Sequence, residues 1–470
     1  MKKPAVNPYL PLNNYIPDAE PRLFNDRLYI YGSHDKAGGD FFCLKDYVVW
    51  SAPKDDLADW RYDGVIYRRG QDPSDPEGKL ELFAPDVVQG PDGRYYLYYC
   101  LRMKTEFGVA VSDTPTGPFT FHGHVKRPDG SIFNDHMPYD PSVLVDDDGS
   151  VYLYYGFSSA MLSKKYNTEI SPGALVVELE QDMLTTCSPP TVCIPWEGLA
   201  TGTGFEGHAY CEAPSIRKIG NLYYLVYSSQ WWHELCYAVS QYPTKGYCYG
   251  GVIVDNADIG YNGRNLPVCM PGNNHGGLVT VNNQSYIFYH RHTHGTSYSR
   301  QGCAEPVTFD ANGHIAQVGI TSSGLNGGPL PALGQWPAAI ACYLSCPKPQ
   351  LMLDFRNVDL SVMPYITQED APAPIQYIHN FYEGVIAGFN QFYAKDAVHA
   401  IVVTVRGTAD GELIVYLDNA DNPPAAVTAL SISGGLWQDI TIPISFNNTH
   451  SLFFGFTGHG TFDFLYFCWQ

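Results

Sequence analysis

Five residues able to hold protons or cations recur at nearly one place in a repeated unit. They are Asp18 in PDAEP, Asp86 in APDVV, Asp140 in YDPSV, Glu212 in CEAPS and His275 in NNHGG. Each stands 10 to 12 residues before a landmark tyrosine (Tyr29, Tyr96, Tyr152, Tyr224, Tyr286) in a Tyr-rich alternating stretch. Nearly equal offsets imply one structural place per unit, so units set around an axis would bring these groups together. Two carboxyl groups flanking a glycosidic bond suffice for its hydrolysis, one protonated to serve the leaving oxygen and one ionised to activate water or attack the sugar. A third carboxylate beside the acid keeps it protonated by like-charge repulsion. Asp18, Asp140 and Glu212 have the number and types for base, modulator and acid. Taken singly, each could also be a turn or capping carboxylate. Asp86 follows a proline and could satisfy a backbone donor, and His275 could be a hydrogen-bonded core histidine. The shared offset favours the convergent reading.

The elements that must position them are hairpins. NDRLYIYGSHD, PDGRYYLYYC, DDGSVYLYYG, IGNLYYLVYSS and VNNQSYIFYHR each join a turn of Asn, Asp or Gly to an alternating strand. The landmark tyrosines lie 67, 56, 72 and 62 residues apart, room for about four strands each, the content of one propeller blade. Five copies predict five blades, with one strand of each lining the axis. Composition agrees. The 35 Tyr, 23 Phe and 8 Trp favour strands, the 45 Gly and 35 Pro favour turns, and the fold class is all-β. Some of the Tyr and Trp also offer flat apolar faces with a polar edge, suited to sugar rings.

The formal charge of -20 argues against nucleic acid and anionic membrane surfaces as partners. No run approaches 18 consecutive apolar residues, so no membrane span is expected. The N-terminal MKKPAVNPYLPLNNY has no apolar core of a signal peptide, which leads to a cytoplasmic expectation with the 12 cysteines reduced. The cysteines show no paired CxxC spacing, which argues against a zinc site. His290, His292 and His294 in HRHTH could share one strand face as metal ligands, but read better as part of a strand and loop. The run Asp146–Gly149 reads as a hairpin turn rather than a calcium loop.

From about residue 321 the text changes. A Gly-, Pro- and Ala-rich stretch reads as a crossover linker, followed by alternating segments such as AIVVTVRG, GELIVYLD and HSLFFGFTG. The expected organisation is a five-bladed β-propeller over 1–320, a linker over 321–350 and a β-sandwich of jelly-roll type over 351–470.

The ordered set YIPDAEPRLFNDRLYIYGSHD, LFAPDVV, YDPSVLVDDDGSVYLYYG, CEAPSIRKIGNLYYLVYSS and NNHGG with YIFYHRHTHGTSYSRQ resembles glycoside hydrolase family 43 over roughly residues 5–320. The resemblance implies a five-bladed propeller and inverting chemistry. Asp18 would be the general base, Asp140 the residue tuning the acid, and Glu212 the general acid. Glu20 is a weaker rival for the base, because PDAEP departs from the ADP common among relatives. Arg300 would contact the sugar and His275 would hold a hydrated Ca2+ on the axis, while the shared offset, not the resemblance, puts Asp86 at the substrate site. The C-terminal strands resemble a family 6 carbohydrate-binding module, with Trp437 at one aromatic position and Thr461 where that family has Asn. Such a sandwich would pack on the propeller, and in some relatives walls its pocket. The implied activity is α-L-arabinofuranosidase on arabinoxylan-type, pentose-containing oligosaccharides. β-D-xylosidase or dual action is the near alternative and endo-arabinanase a more distant one. A non-catalytic propeller lectin would keep the aromatics without needing three converging acids, and a propeller scaffold would instead show a broad apolar patch.

Overall fold

The computed structural model describes residues 3–160, 164, 170–348, 359–371 and 373–470. Among them nineteen strands form five antiparallel sheets in chain order, within residues 20–67, 86–124, 142–195, 210–255 and 278–307. The first strands are β1 (Glu20–Phe24), β5 (Asp86–Gln89), β9 (Ser142–Val145), β13 (Tyr210–Ile219) and β17 (Leu278–Val281). Each packs beside the next, and β17 returns to β1, where Ala19 bridges Gly276. That ring is the hub of a five-bladed propeller. No described helix is long and apolar enough to cross a membrane.

Each landmark tyrosine lies on the second strand of its sheet, paired to the inner one. Alternation therefore sends successive residues of that strand to opposite faces, and both faces are covered by neighbouring blades. Tyr31, Tyr98, Tyr99, Tyr154 and Tyr227 are fully buried in these interfaces. Their hydroxyls are satisfied, as where Tyr98 donates to Met183 O (2.6 Å) and Tyr99 to Asp72 Oδ2 (2.6 Å). Most of the aromatic excess is therefore core. The Asp146–Gly149 run is the expected turn, closed by Asp146 N–H on Ser150 O and Gly149 N–H on Asp146 O.

The fifth sheet has three strands, β17, β18 (Gln284–Thr293) and β19 (Thr296–Val307). The N-terminal arm lies along its open edge, where Tyr9 N–H donates to Gly302 O (3.3 Å) and Ala304 N–H to Asn7 Oδ1 (3.0 Å).

The C-terminal domain is one curled sheet. Its long strand Ile386–Leu417 pairs on both edges with the long strand Gln438–Trp469, so that Ile401–Val405 meet both Gln438–Ile442 and Phe464–Trp469. Folding a sheet back on itself in this way makes the expected sandwich, filled by Phe389, Phe454, Phe464 and Phe467. The stretch 321–350 is more than a linker. Short strands Leu330–Pro331, Gln335–Pro337 and Tyr343–Ser345 join that sheet, and Trp336, Ala338 and Ile340 enter its core. The boundary drawn at 350/351 lies outside the described residues. The two domains are stitched directly: Tyr15 donates to Gln368 Oε1 (2.5 Å), Gln376 Nε2 to Leu12 O (2.5 Å) and Ser322 N–H to Asn390 O (2.9 Å).

Candidate active site

Strand register sorts the five sequence-predicted residues. Tyr29, Tyr152 and Tyr286 face Arg22, Leu144 and Val279, which lie four residues beyond Asp18, Asp140 and His275. Tyr224 faces Arg217, five residues beyond Glu212, and the extra residue is taken up by a bulge between Glu212 and Ser215. These four groups therefore occupy one level of the hub. Asp86 is only two residues from Val88, the partner of Tyr96, so it lies one pleat repeat deeper. Ala84 holds the upper level in that blade.

The expectation that Asp86 lines the substrate site is accordingly corrected. Its carboxylate is fully buried and saturated: Arg22 binds it through Nε (2.9 Å to Oδ1) and Nη2, while Val87 N–H (2.7 Å), Val143 N–H (2.8 Å) and Ser142 Oγ (3.3 Å) also donate. Glu20, the rival base, belongs to the same deep level. It pairs with Arg217 (2.6 Å) and accepts from Ser215 Oγ (3.1 Å). The fifth member of this level is Gly277, whose missing side chain leaves room for the Ser215 hydroxyl, 2.3 Å from where a Cβ would stand.

At the upper level the backbone is strained at the acids. Asp18 (φ 56°), Asp140 (φ 53°) and Ala213 (φ 62°), the residue after Glu212, all take left-handed conformations, each costing roughly 1–3 kcal/mol and found where function holds them. Asp18 is 4% exposed and Asp140 8%, whereas Glu212 keeps more of its surface open. Asp140 Oδ2 accepts from Ala213 N–H (3.1 Å), which ties the modulator to the peptide next to the acid. Arg300 Nη1 donates to Asp18 (2.8 Å), while its Nε and Nη2 clasp Asp35 (2.8 and 3.1 Å). With Nη2 also on Cys43 Sγ (3.7 Å), four of the five guanidinium N–H groups are engaged, leaving one for a ligand. The Phe42 ring covers the guanidinium at 4.8 Å. Asp35 was missed from sequence, and His290, read there as part of a strand and loop, enters the site. His290 Nδ1 lies 3.4 Å from Asp18 Oδ1 and accepts Asp18 N–H, while Nε2 reaches Asn273 O (2.6 Å).

These environments separate the three acids. Burial would raise the Asp18 carboxyl, but Arg300, with His290 and His275, outweighs it and holds the group below the usual range. Glu212 is pushed well above its usual range, first by burial and then by the charge of Asp140. Asp140 is also raised, by burial and by Asp18 against the pull of His275, and less far than Glu212. His275 is drawn up to about 9, since the carboxylates of Glu20, Asp140 and Asp18 overcome its burial. At neutral pH the level thus contains an ionised Asp18 and a protonated Glu212.

Other expectations find different places. His290 and His292 both point Nε2 at Asn273 O (2.6 and 3.0 Å), and His294 packs on Tyr15, so HRHTH does not converge on one point. Trp437 lies against Arg406 (4.2 Å) and Tyr377 (5.7 Å) within the C-terminal domain. All twelve cysteines are unpaired.

A five-bladed propeller whose hub offers one ionised and one protonated carboxyl defines a hydrolase of glycosidic bonds. The family description "Glycosyl hydrolases family 43" matches residues 7–315, and the chain belongs to that family. A Thermoclostridium stercorarium protein described as a xylosidase/arabinosidase is 44% identical over 473 residues, spanning 98% of each chain. A Bacteroides ovatus protein of the same description is 28% identical over 66% of this chain and 97% of its own. Among solved structures, the Xanthomonas citri GH43_1 enzyme complexed with xylose matches 69% of this chain and 96% of its own at TM-score 0.55 and 26% identity. The Bacillus subtilis family 43 arabinoxylan arabinofuranohydrolase shares the fold across 97% of this chain and 96% of its own, at TM-score 0.52 and 22% identity.

Proposed function

We propose that the protein is an inverting, exo-acting α-L-arabinofuranosidase that releases arabinose from arabinoxylan-type oligosaccharides. The observation that carries the chemistry is the opposed tuning of Asp18 and Glu212 at one level of the hub. Glu212 donates its proton to the leaving oxygen. Asp18, held ionised by Arg300, takes a proton from the water that attacks the anomeric carbon from the opposite face. Asp140 raises Glu212 and fixes the adjacent peptide. β-D-xylosidase activity in the same pocket is the second reading, favoured by the xylosidase/arabinosidase description of the 44% identical relative. The two pentoses present similar hydroxyls to one site.

A calcium ion at His275 belongs to the same proposal. Glu20 Oε1, buried and without a hydrogen bond among the described residues, lies 3.7 Å from His275 Nε2. One carboxylate oxygen and one imidazole fit a mostly water-coordinated cation, which would brace the hub rather than enter the reaction. Coordination needs a neutral imidazole, so cation binding there expels the His275 proton and tightens as pH rises.

The test is hydrolysis of aryl α-L-arabinofuranoside and aryl β-D-xyloside by the parent, Asp18→Ala and Glu212→Ala, with product configuration read by NMR. Loss in both variants, azide rescue of Asp18→Ala and an inverted product are expected. Turnover untouched by either substitution would sink the reading.

A further inference from the structure

Away from the hub, blade four brings together a group that the hydrolytic reaction does not use. His208 precedes β13, while Glu234 and Cys236 lie two residues apart on the strand Glu234–Ser240, on one face of it. His208 Nδ1 is 2.7 Å from Glu234 Oε1. Cys236 Sγ is 3.6 Å from that same oxygen and 3.9 Å from His208 Nδ1. Glu234 and Cys236 are buried and His208 is partly open, its side chain 35% exposed, so the group has a solvent approach. The donors are also held from behind. Ser229 Oγ donates to Glu234 Oε1 (2.5 Å), the Tyr249 ring stacks on His208 (5.0 Å, 11°), and Tyr227 donates to His208 O (2.7 Å).

We propose that His208, Glu234 and Cys236 form a zinc site with a fourth, water-filled position. Zn2+ takes one imidazole nitrogen, one carboxylate oxygen and one thiolate at about 2.0–2.3 Å. Tetrahedral bonds of those lengths put the donors about 3.3 Å apart for N and O and about 3.5 Å apart for pairs including S. The observed triangle of 2.7, 3.6 and 3.9 Å matches after His208 and Glu234 part by about 0.6 Å and Cys236 and His208 close by about 0.4 Å. A borderline-soft ion suits this mixed donor set, whereas calcium, which wants six to eight oxygens, does not. The sequence argument against zinc rested on paired cysteines, and this set needs only one. Binding displaces the Cys236 thiol proton to solvent, and the hydrogen between His208 and Glu234 leaves Nδ1, for Nε2 when the imidazole is neutral and for solvent when it is charged. No electron changes hands. The ion would clamp the approach to β13, the strand that carries Glu212, onto the next strand pair of its blade.

The experiment uses the full chain stripped with a chelator and titrated with Zn2+ and with Co2+. One equivalent of each should bind. Co2+ should give a sulfur-to-metal charge-transfer band with tetrahedral visible bands, and Zn2+ should raise the melting temperature. His208→Ala should lose the uptake, the spectrum and the thermal gain, and Cys236→Ser should lose the charge-transfer band. Ser229→Ala, the mildest change, should weaken zinc by about 10-fold or more. Failure of the parent to take up one equivalent overturns the site. So does binding or a cobalt spectrum that is the same in His208→Ala.

Discussion

Two levels of the propeller hub, two residues apart on the same strands, carry acids in opposite conditions. In the deep level Glu20 and Asp86 each face a dedicated arginine, Arg217 and Arg22, and serine hydroxyls take up further lone pairs. Burial there is offset by charge, and Glu20 is held down to about 2 despite it, chiefly by Arg217. In the upper level Asp18, Asp140 and Glu212 are set against His275 and an Arg300 that Asp35 already holds. The shortfall of positive charge spreads their proton affinities apart. The lesson is that neither acidity nor a place on the axis makes a catalytic group. The local balance of charge does, with a matched pair giving a brace and a deficit giving an acid and a base.

The largest expected effect belongs to the upper level. Glu212→Gln should cut kcat on natural oligosaccharides by about 10²- to 10⁴-fold, and less on aryl substrates whose leaving group needs no proton. It should not destabilise the fold. Because the folded state raises the Glu212 pKa, the folded protein binds more protons than the unfolded chain between the two values, and stability falls as pH rises through that window. Gln removes this loss, so thermal unfolding at neutral pH should be unchanged or later.

The deep level should respond the other way. Asp86→Ala strands Arg22 in a buried site and should cost about 3–5 kcal/mol in denaturant unfolding. A variant that kept full stability but lost turnover would erase the division between levels. Asp140→Asn sharpens it more gently. Removing the like charge should lower the Glu212 pKa and bring the alkaline limb of the kcat/KM profile to lower pH, with the Asp18 limb much less affected. The smallest effect expected is from calcium chelation, a modest fall in melting temperature that grows with the pH at which the ion was loaded. An unchanged melting temperature and activity would count against the ion.

What sequence could show was set by the range of the interactions. Hairpins are local, so five units, the all-β class and the acids at Asp18, Asp140 and Glu212 were legible. Offsets of 10 to 12 residues vary by one full two-residue period of a strand, so they could not separate Asp86 from the level of Ala84. Asp35 stood in the quoted GSHD, but its partner Arg300 lies 265 residues away, and nothing local announces that pairing. The strands within 321–350 are two or three residues long, too short for any periodicity, and read as linker. The segments AIVVTVRG and GELIVYLD look like separate strands in sequence, yet they belong to one bent strand. Cys236 was passed over because its companions, His208 and Glu234, are not cysteines.

The arm along the last blade has a consequence during synthesis. Tyr15 and Leu12 are fastened by Gln368 and Gln376, 353 and 364 residues downstream. At ribosomal speeds that interval lasts roughly 20 to 70 seconds. A nascent wheel therefore holds this arm through its own last blade, at Asn7 and Tyr9, well before the far domain emerges to add the second set of fastenings.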